Sequence, residues 1–395
     1  MNAANVRARA LEDSTAAVRP LVLISSLAAG GAERVAVSVV CRLARRGHRA
    51  VLCTLTSRVD EEQFTRELRQ SDVLRHDLGA RRLAEPRACV AYLRFLLRSG
   101  FNVVHAHGQD AWILAAAIRR VTSVPLVLTR HVLDEPAETW RLSLRRRCAL
   151  AAARRGDALV APSSATAERL AELAGICSSR IHVIPNGVDL DRFELRDAPT
   201  TRADLRRTLG LSGHQPMVLV PAVLRQGKGH DVLLDALPLI QAECPEVRIV
   251  LAGGGERETE LRERSYGSAV TVLGHRTDIP ELLAACDVVA LPSLAEALPT
   301  VLIEAGAARR PVVATRVGGT AEIVEHGVSG LLVPPGDSRA LAAAIVTVLN
   351  DPAKAHAFGD AGRTVAHYRY SLDAHVDRTL ELWSRLARRA GRASS

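Results

Sequence analysis

The chain has 395 residues, 48% of them apolar and only 3% aromatic, with a formal net charge of +9. That length exceeds what one hydrophobic core usually serves, so two domains are expected, and abundant Ala, Val and Leu suit helices packed on sheets. No apolar run approaches the roughly 18 residues of a membrane span, and the scarcity of aromatics, with no recognised binding motif, argues against a nucleic-acid partner.

Residues 1–19 scatter Arg and acids without an apolar centre, which reads as a loose leader rather than a signal peptide, so a cytoplasmic protein is expected. Short apolar runs then recur with room for a helix between them. The predicted strands are Pro20 to Ser25, Ala50 to Leu55, Asn102 to His105, Leu126 to Thr129, Ala158 to Ala161 and Ile181 to Ile184. Between the fourth and fifth, Arg141, Arg145, Arg146, Arg147, Arg154 and Arg155 bracket an Ala and Leu stretch. That is a basic helix able to rest on an anionic surface, or a solvated face. Residues 1–195 hold 29 basic against 20 acidic side chains, and residues 196–395 hold 23 of each, so the whole excess lies in the first half.

Pro185-Asn186-Gly187-Val188-Asp189 follows, with turn chemistry that ends a first domain over 20–190 and opens a linker over 191–215. A metal reading of Asp189 and Asp191 loses to a turn or helix cap, because the pair follows a hinge rather than a donor-site strand. A second series runs Met217 to Pro221, Val247 to Leu251, Val270 to Leu273, Val288 to Leu291 and Val312 to Ala314. Strands alternating with helices mean a parallel sheet covered on both faces, and two series mean two such sheets. The second domain is placed at 216–370, with a helix over Ser338 to Asn350. A last helix, in 371–395, carries Leu372, Val376, Leu380, Trp383 and Leu386 on one face, and a return to the N-terminal domain is the docking considered for it. The seven cysteines (Cys41, Cys53, Cys89, Cys148, Cys177, Cys244, Cys286) occur singly, without C-x-x-C, and are expected to be buried thiols.

The segment Pro292 to Ala305 carries the most chemistry. It follows a strand end, where open parallel sheets bind ligands. Pro299 suits a first helical position, leaving the amides of Thr300 and Val301 free for a phosphate. Leu298 adjoins them, and Glu304, the one charge in an apolar helix, shares a face with Thr300. A carboxylate buried there needs donors, which sugar or ribose hydroxyls, backbone amides or an Arg would supply. Lys228 is one of only two lysines, beside 50 arginines, and its Gly227-Lys228-Gly229 turn suits a compact ammonium meeting a diphosphate. Gly254, within Gly253-Gly254-Gly255, would admit a base or simply end a strand.

Glu296 and Glu304, seven residues apart after Pro-Ser and followed by Pro311 to Thr315, resemble the E-x7-E signature of the family 4 retaining glycosyltransferases of the GT-B fold. Other segments agree in order. Gly30-Gly31-Ala32-Glu33 resembles the glycine-rich acceptor-domain loop, and His107 the catalytic-site histidine. Pro185 to Asp189 resembles the linker, Lys228-Gly229-His230 the phosphate-binding lysine, and Gly318-Gly319 with Glu322 the late glycine turn. The match runs from about Leu21 to Asp337. It departs at Val223, where the family usually carries an arginine on the diphosphate; Arg225 stands two residues further on. Ala297 replaces a common Gly.

The resemblance implies two Rossmann-like, doubly wound parallel-sheet domains facing a cleft. It also implies transfer with retained configuration from a nucleoside-diphosphate sugar, with Glu304 on the ribose, Glu296 on the sugar and His107 approaching it. No cofactor or metal is expected, since Lys228, Arg225 and helix amides can neutralise the diphosphate. The basic first half suggests a lipid-linked or otherwise anionic acceptor, as in cell-surface polysaccharide or glycolipid synthesis, and peripheral contact with the inner face of the cell membrane. An epimerase or phosphorylase on the same fold and a non-catalytic carbohydrate-binding protein are the rivals. A dehydrogenase loses because Ala28 to Glu33 is not G-x-G-x-x-G.

Overall fold

The structure, a computed structural model, describes residues 18–28, 30–59, 62–80, 85–133, 139–193, 199–264 and 267–394. Residues 1–17 of the expected leader and 194–198 of the expected linker lie outside these. The chain divides into two compact units, one of residues 1–187 and 372–395, the other of residues 188–371.

In the first unit, seven strands form one parallel sheet: β1 (Pro20–Ile24), β2 (Val51–Thr54), β3 (Leu74–Asp77), β4 (Val103–His107), β5 (Leu126–Thr129), β6 (Ala158–Ala161) and β7 (Ile181–Val183). Their spatial order is β3-β2-β1-β4-β5-β6-β7. β1, β4, β5 and β6 are buried at every residue, as a sheet covered on both faces requires. One core layer joins the helices Gly31–Arg45 and Glu62–Gln70 to the last helix, Leu372–Ser394; the other holds the helices Pro86–Ser99, Gln109–Ile118, Trp140–Ala153 and Ser164–Ala174. The last helix buries Leu372, Val376, Trp383 and Leu386 in the first layer. It is clamped to the helix Gly31–Arg45 by ion pairs from Arg42 to Asp373 (2.9 Å) and from Arg46 to Asp377 (2.5 Å).

The second unit repeats the plan with β8 (Met217–Pro221), β9 (Arg248–Ala252), β10 (Val270–Gly274), β11 (Val288–Leu291), β12 (Val312–Thr315) and β13 (Leu331–Val333), all parallel, in the order β10-β9-β8-β11-β12-β13. This unit begins at Val188, and much of the stretch read as a linker belongs to its interior. Val188, Leu190, Phe193 and Leu211 are buried in one of its cores. Arg206, 2% exposed, donates from Nη1 to the Ala285 carbonyl at 2.8 Å and reaches Asp287 at 3.3 Å. Turn chemistry had suggested a linker over 191–215, but Arg206 within it is satisfied inside a fold. Asp189 and Asp191 flank the start of a 3-10 turn, Leu190–Phe193.

Both sheets reverse their strand order once, between β1 and β4 in the first unit and between β8 and β11 in the second. Helices leave to opposite sides at such a point, so a crevice opens at the carboxyl ends of those two strands. Among the described cysteines, Cys41, Cys53, Cys244 and Cys286 are buried and Cys89 half-buried, whereas Cys148 and Cys177 are exposed, which corrects the expectation for those two.

Candidate active site

In the second unit the loops after β8 and β11 meet at the reversal point. Gly229 has φ +71, and a Cβ built on it would lie 1.8 Å from the Pro292 carbonyl oxygen, so no other residue fits without backbone movement. The Leu294 amide donates to the Gly227 carbonyl at 2.8 Å. These contacts hold the two loops edge to edge and bring Lys228 Nζ to 2.6 Å from Glu296 Oε1, with side chains only 16% and 10% exposed. Two other polar groups on these segments are buried without a partner among the described residues, the ring nitrogens of His230 and Ser293 Oγ. Burial pushes His230 down to about 4, with Arg257 and Lys228 adding to the effect.

The helix Thr300–Ala307 starts beside this pair. Pro299 is its N-cap rather than its first turn, and the amides of Thr300 and Val301 still precede the first internal hydrogen bonds. Thr300, Val301 and Glu304 are half-buried, while Leu302, Ile303, Ala305, Gly306 and Ala307 are buried, so the accessible stripe of the helix is the one bearing Glu304. Glu304 is thus half-buried, on a face open to donors of the kind the sequence reading required. Leu298, 5% exposed, sits in the core. The helix is seated by a second glycine contact: a Cβ on Gly306 would come within 2.7 Å of the Gly362 carbonyl of the packed helix Pro352–Tyr370.

Arg225 and Val223 are both exposed on the loop after β8, and the Arg225 side chain makes no hydrogen bond or ion pair with the described residues. The glycine turn after β9 lies against that loop: Cβ atoms on Gly253 and Gly255 would lie 2.0 Å from the Ala222 and 2.3 Å from the Leu224 carbonyl oxygens, whereas one on Gly254 would meet nothing closer than 3.4 Å. Packing therefore explains the outer two glycines, whereas a Cβ on Gly254 would rest in ordinary contact against His275 and Glu258.

In the first unit, Gly31 opens the helix after β1, and a Cβ there would meet nothing within 4 Å. His107 ends β4. Its register partner on β5 is Thr129, which brings His131 alongside, and His107 Nδ1 lies 2.8 Å from His131 Nε2. His105 bonds Thr129 Oγ1 at 2.5 Å and sits 4.3 Å from the His107 ring, with Trp383 of the last helix edge-on at 5.5 Å. Burial, reinforced by neighbouring imidazoles, pushes His105 down to about 3 and holds His107 well below the usual range; His131 is lowered too. The rings are neutral near pH 7, so this cluster offers hydrogen bonds rather than positive charge. Among the described residues no group of three or more His, Cys, Asp or Glu could hold a metal ion.

Family models match both units, one described as Glycosyltransferase Family 4 over residues 29–192 and one as Glycosyl transferases group 1 over residues 215–351. The D-inositol 3-phosphate glycosyltransferase of Xylanimonas cellulosilytica is 33% identical over 316 residues, covering 73% of each chain. This chain is a family 4 glycosyltransferase. Another relative of the transferase is the GDP-mannose-dependent alpha-(1-6)-phosphatidylinositol monomannoside mannosyltransferase of Mycobacterium tuberculosis, 36% identical over 220 residues, 52% of this chain and 56% of the relative. Among solved structures, Anabaena Alr3699/HepE in complex with UDP-glucose superposes with a TM-score of 0.81 at 27% identity, covering 93% of this chain and 99% of that one. The two parallel-sheet units are those of the GT-B fold.

The structure of this glycosyltransferase brings together Lys228, Glu296, Thr300, Val301 and Glu304 in one unit, and Gly31 and His107 in the other, each set at its sheet's reversal point. His131 joins His107 because it stands two residues beyond Thr129, the register partner of His107, a signal visible once β4 and β5 are paired.

Proposed function

We propose that this glycosyltransferase takes a sugar from a nucleoside diphosphate and transfers it with retained configuration to a phosphorylated, inositol-containing or other anionic acceptor. In this reading Lys228, with Arg225 and the amides of Thr300 and Val301, meets the diphosphate. Glu304 binds the ribose, Gly254 leaves room for the base, and Glu296 holds the transferred sugar. His107 and Gly31 serve transfer. The observation that carries the reading is the buried Lys228–Glu296 pair, drawn from loops 68 residues apart to the reversal point of one sheet. An ammonium and preorganised amides address the charge that develops on a leaving diphosphate, so no metal is required. The donor and acceptor classes draw on the relatives, whose names specify GDP-mannose, UDP-glucose, inositol phosphate and phosphatidylinositol mannoside.

A membrane-borne acceptor accords with the helix Trp140–Ala153, which exposes Trp140 (70%), Leu144 (53%) and Leu142 (41%) among its arginines. Apolar side chains among cations suit an anionic lipid surface, and the transferase would work in the cytoplasm at that surface.

Titration with UDP and GDP and assay of transfer test the site. Glu304→Ala should weaken the nucleoside diphosphate by about tenfold or more, the scale of a lost hydrogen bond to a charged group. Glu296→Ala should abolish transfer without weakening that ligand. Unchanged affinity in Glu304→Ala would refute the ribose assignment, and strict loss of activity with a chelator would refute metal independence.

A further inference from the structure

The Lys228–Glu296 pair has a consequence beyond the roles of its two members. A buried ammonium and carboxylate are tolerated as a pair, and leaving either alone is costly. At 2.6 Å, with both side chains at most 16% exposed, each is the other's counter-ion before a donor arrives. The roles proposed above require both to change partners. A diphosphate carries more charge than a carboxylate and outcompetes it for the ammonium, and the released carboxylate then needs hydroxyl donors in place of the cation it has lost.

We propose that donor binding is a counter-ion exchange, in which the diphosphate takes Lys228 from Glu296 and thereby frees Glu296 for the sugar. The inference rests on the diphosphate role of Lys228 and the sugar role of Glu296. A free sugar brings no anion, so it cannot release the carboxylate, and the site discriminates against sugars without a diphosphate. After transfer the sugar hydroxyls depart, Glu296 is again without donors, and it competes for Lys228 and helps expel the nucleoside diphosphate. Glu296 thus selects the intact donor and promotes product release, and the two halves of the donor bind cooperatively.

The lysine content makes the test direct. The only other lysine is Lys354, 44% exposed, so protein labelled at lysine with 13C and 15N gives two side-chain signals, assigned with Lys354→Arg. In the free protein, Glu296→Gln should shift the Lys228 signal and leave Lys354 in place. Saturation with UDP or GDP should move the wild-type Lys228 signal, and the wild-type and Glu296→Gln signals should then converge. Glu296→Gln should also hold the nucleoside diphosphate several-fold tighter. A second measurement needs no variant: glucose or mannose should bind far better in the presence of UDP or GDP than alone. If Lys228 responds to the nucleoside diphosphate but stays as sensitive to Glu296→Gln as before, or the sugar binds equally well without it, the exchange is overturned while the diphosphate role stands. If UDP and GDP both leave the Lys228 signal unmoved, the diphosphate role itself fails, and the exchange with it.

Discussion

Gly229 shows how little tolerance the donor crevice has. A methyl group there would strike the Pro292 carbonyl, and the positive φ adds strain, so Gly229→Ala should part the two loops and separate Lys228 from Glu296. Loss of UDP and GDP affinity by calorimetry, with the far-UV spectrum retained, is the expected result. The histidines of the first unit make a prediction about acid. His105, His107 and His375 are buried and held below the ordinary value of 6.5 by burial first, in His105 down to about 3. The unfolded chain therefore binds more protons than the folded one between those values, and stability should be full above pH 6.5 and fall as pH drops towards 3. Thermal melts across pH 4 to 8 check this, and His105→Phe should flatten the slope. Lys228 and Thr300 could be singled out because each stands in a short motif whose chemistry is local, and Glu296 by the signature it shares with Glu304. His131 could not, because its meeting with His107 depends on register between two strands. The direction of the Leu298 side chain was not legible, because proximity in sequence does not say which way a side chain turns; it turns into the core.

At the level of elements, the interior strands were legible as unbroken apolar runs, and β5, β6, β8 and β11 have the predicted bounds. The two strands left unpredicted, β3 with its sequence LRHD and β13 with LLV, are edge strands, one mostly polar and one only three residues long. Edge position relaxes the demand for apolar residues on both faces, and the signal goes with it. The helix Pro352–Tyr370 also escaped notice, since Gly359 and Gly362 interrupt its pattern. Those glycines belong to packing. A Cβ on Gly306 would meet the Gly362 carbonyl at 2.7 Å, whereas one on Gly362 would meet nothing closer than 3.4 Å. Gly306→Ala should therefore destabilise the second unit by about 1–3 kcal/mol as overpacking does, and Gly362→Ala by much less, a contrast that denaturant melts can read. Trp383→Ala, on the last helix, should cost about 3–5 kcal/mol in the first unit.

Taken whole, the molecule divides its charge more sharply than a cut at the middle of the chain reveals. With the last helix assigned to it, the first unit holds 33 basic and 20 acidic residues and the second 19 and 23. The proposed membrane face predicts flotation with anionic vesicles at low salt and its loss at high salt. Arg141 and Arg147 are the cations to neutralise, with Trp140 as the apolar anchor. Arg145 should be left intact, because it is tied to the buried Asp110 at 2.5 Å. Flotation indifferent to salt and to those changes would return the helix to the role of a solvated surface. Among the described residues no helix is long and apolar enough to cross a membrane. The assignment of Leu372–Ser394 to the first unit also has a meaning for synthesis. Residues 188–371 are continuous and interrupt a unit whose two parts lie at opposite ends of the chain. Until Leu372–Ser394 is made, the first unit lacks Val376, Trp383 and Leu386, and its sheet has one core layer unfilled. A chain truncated after Ser371 should therefore resist protease across the second unit and remain open to it in the first.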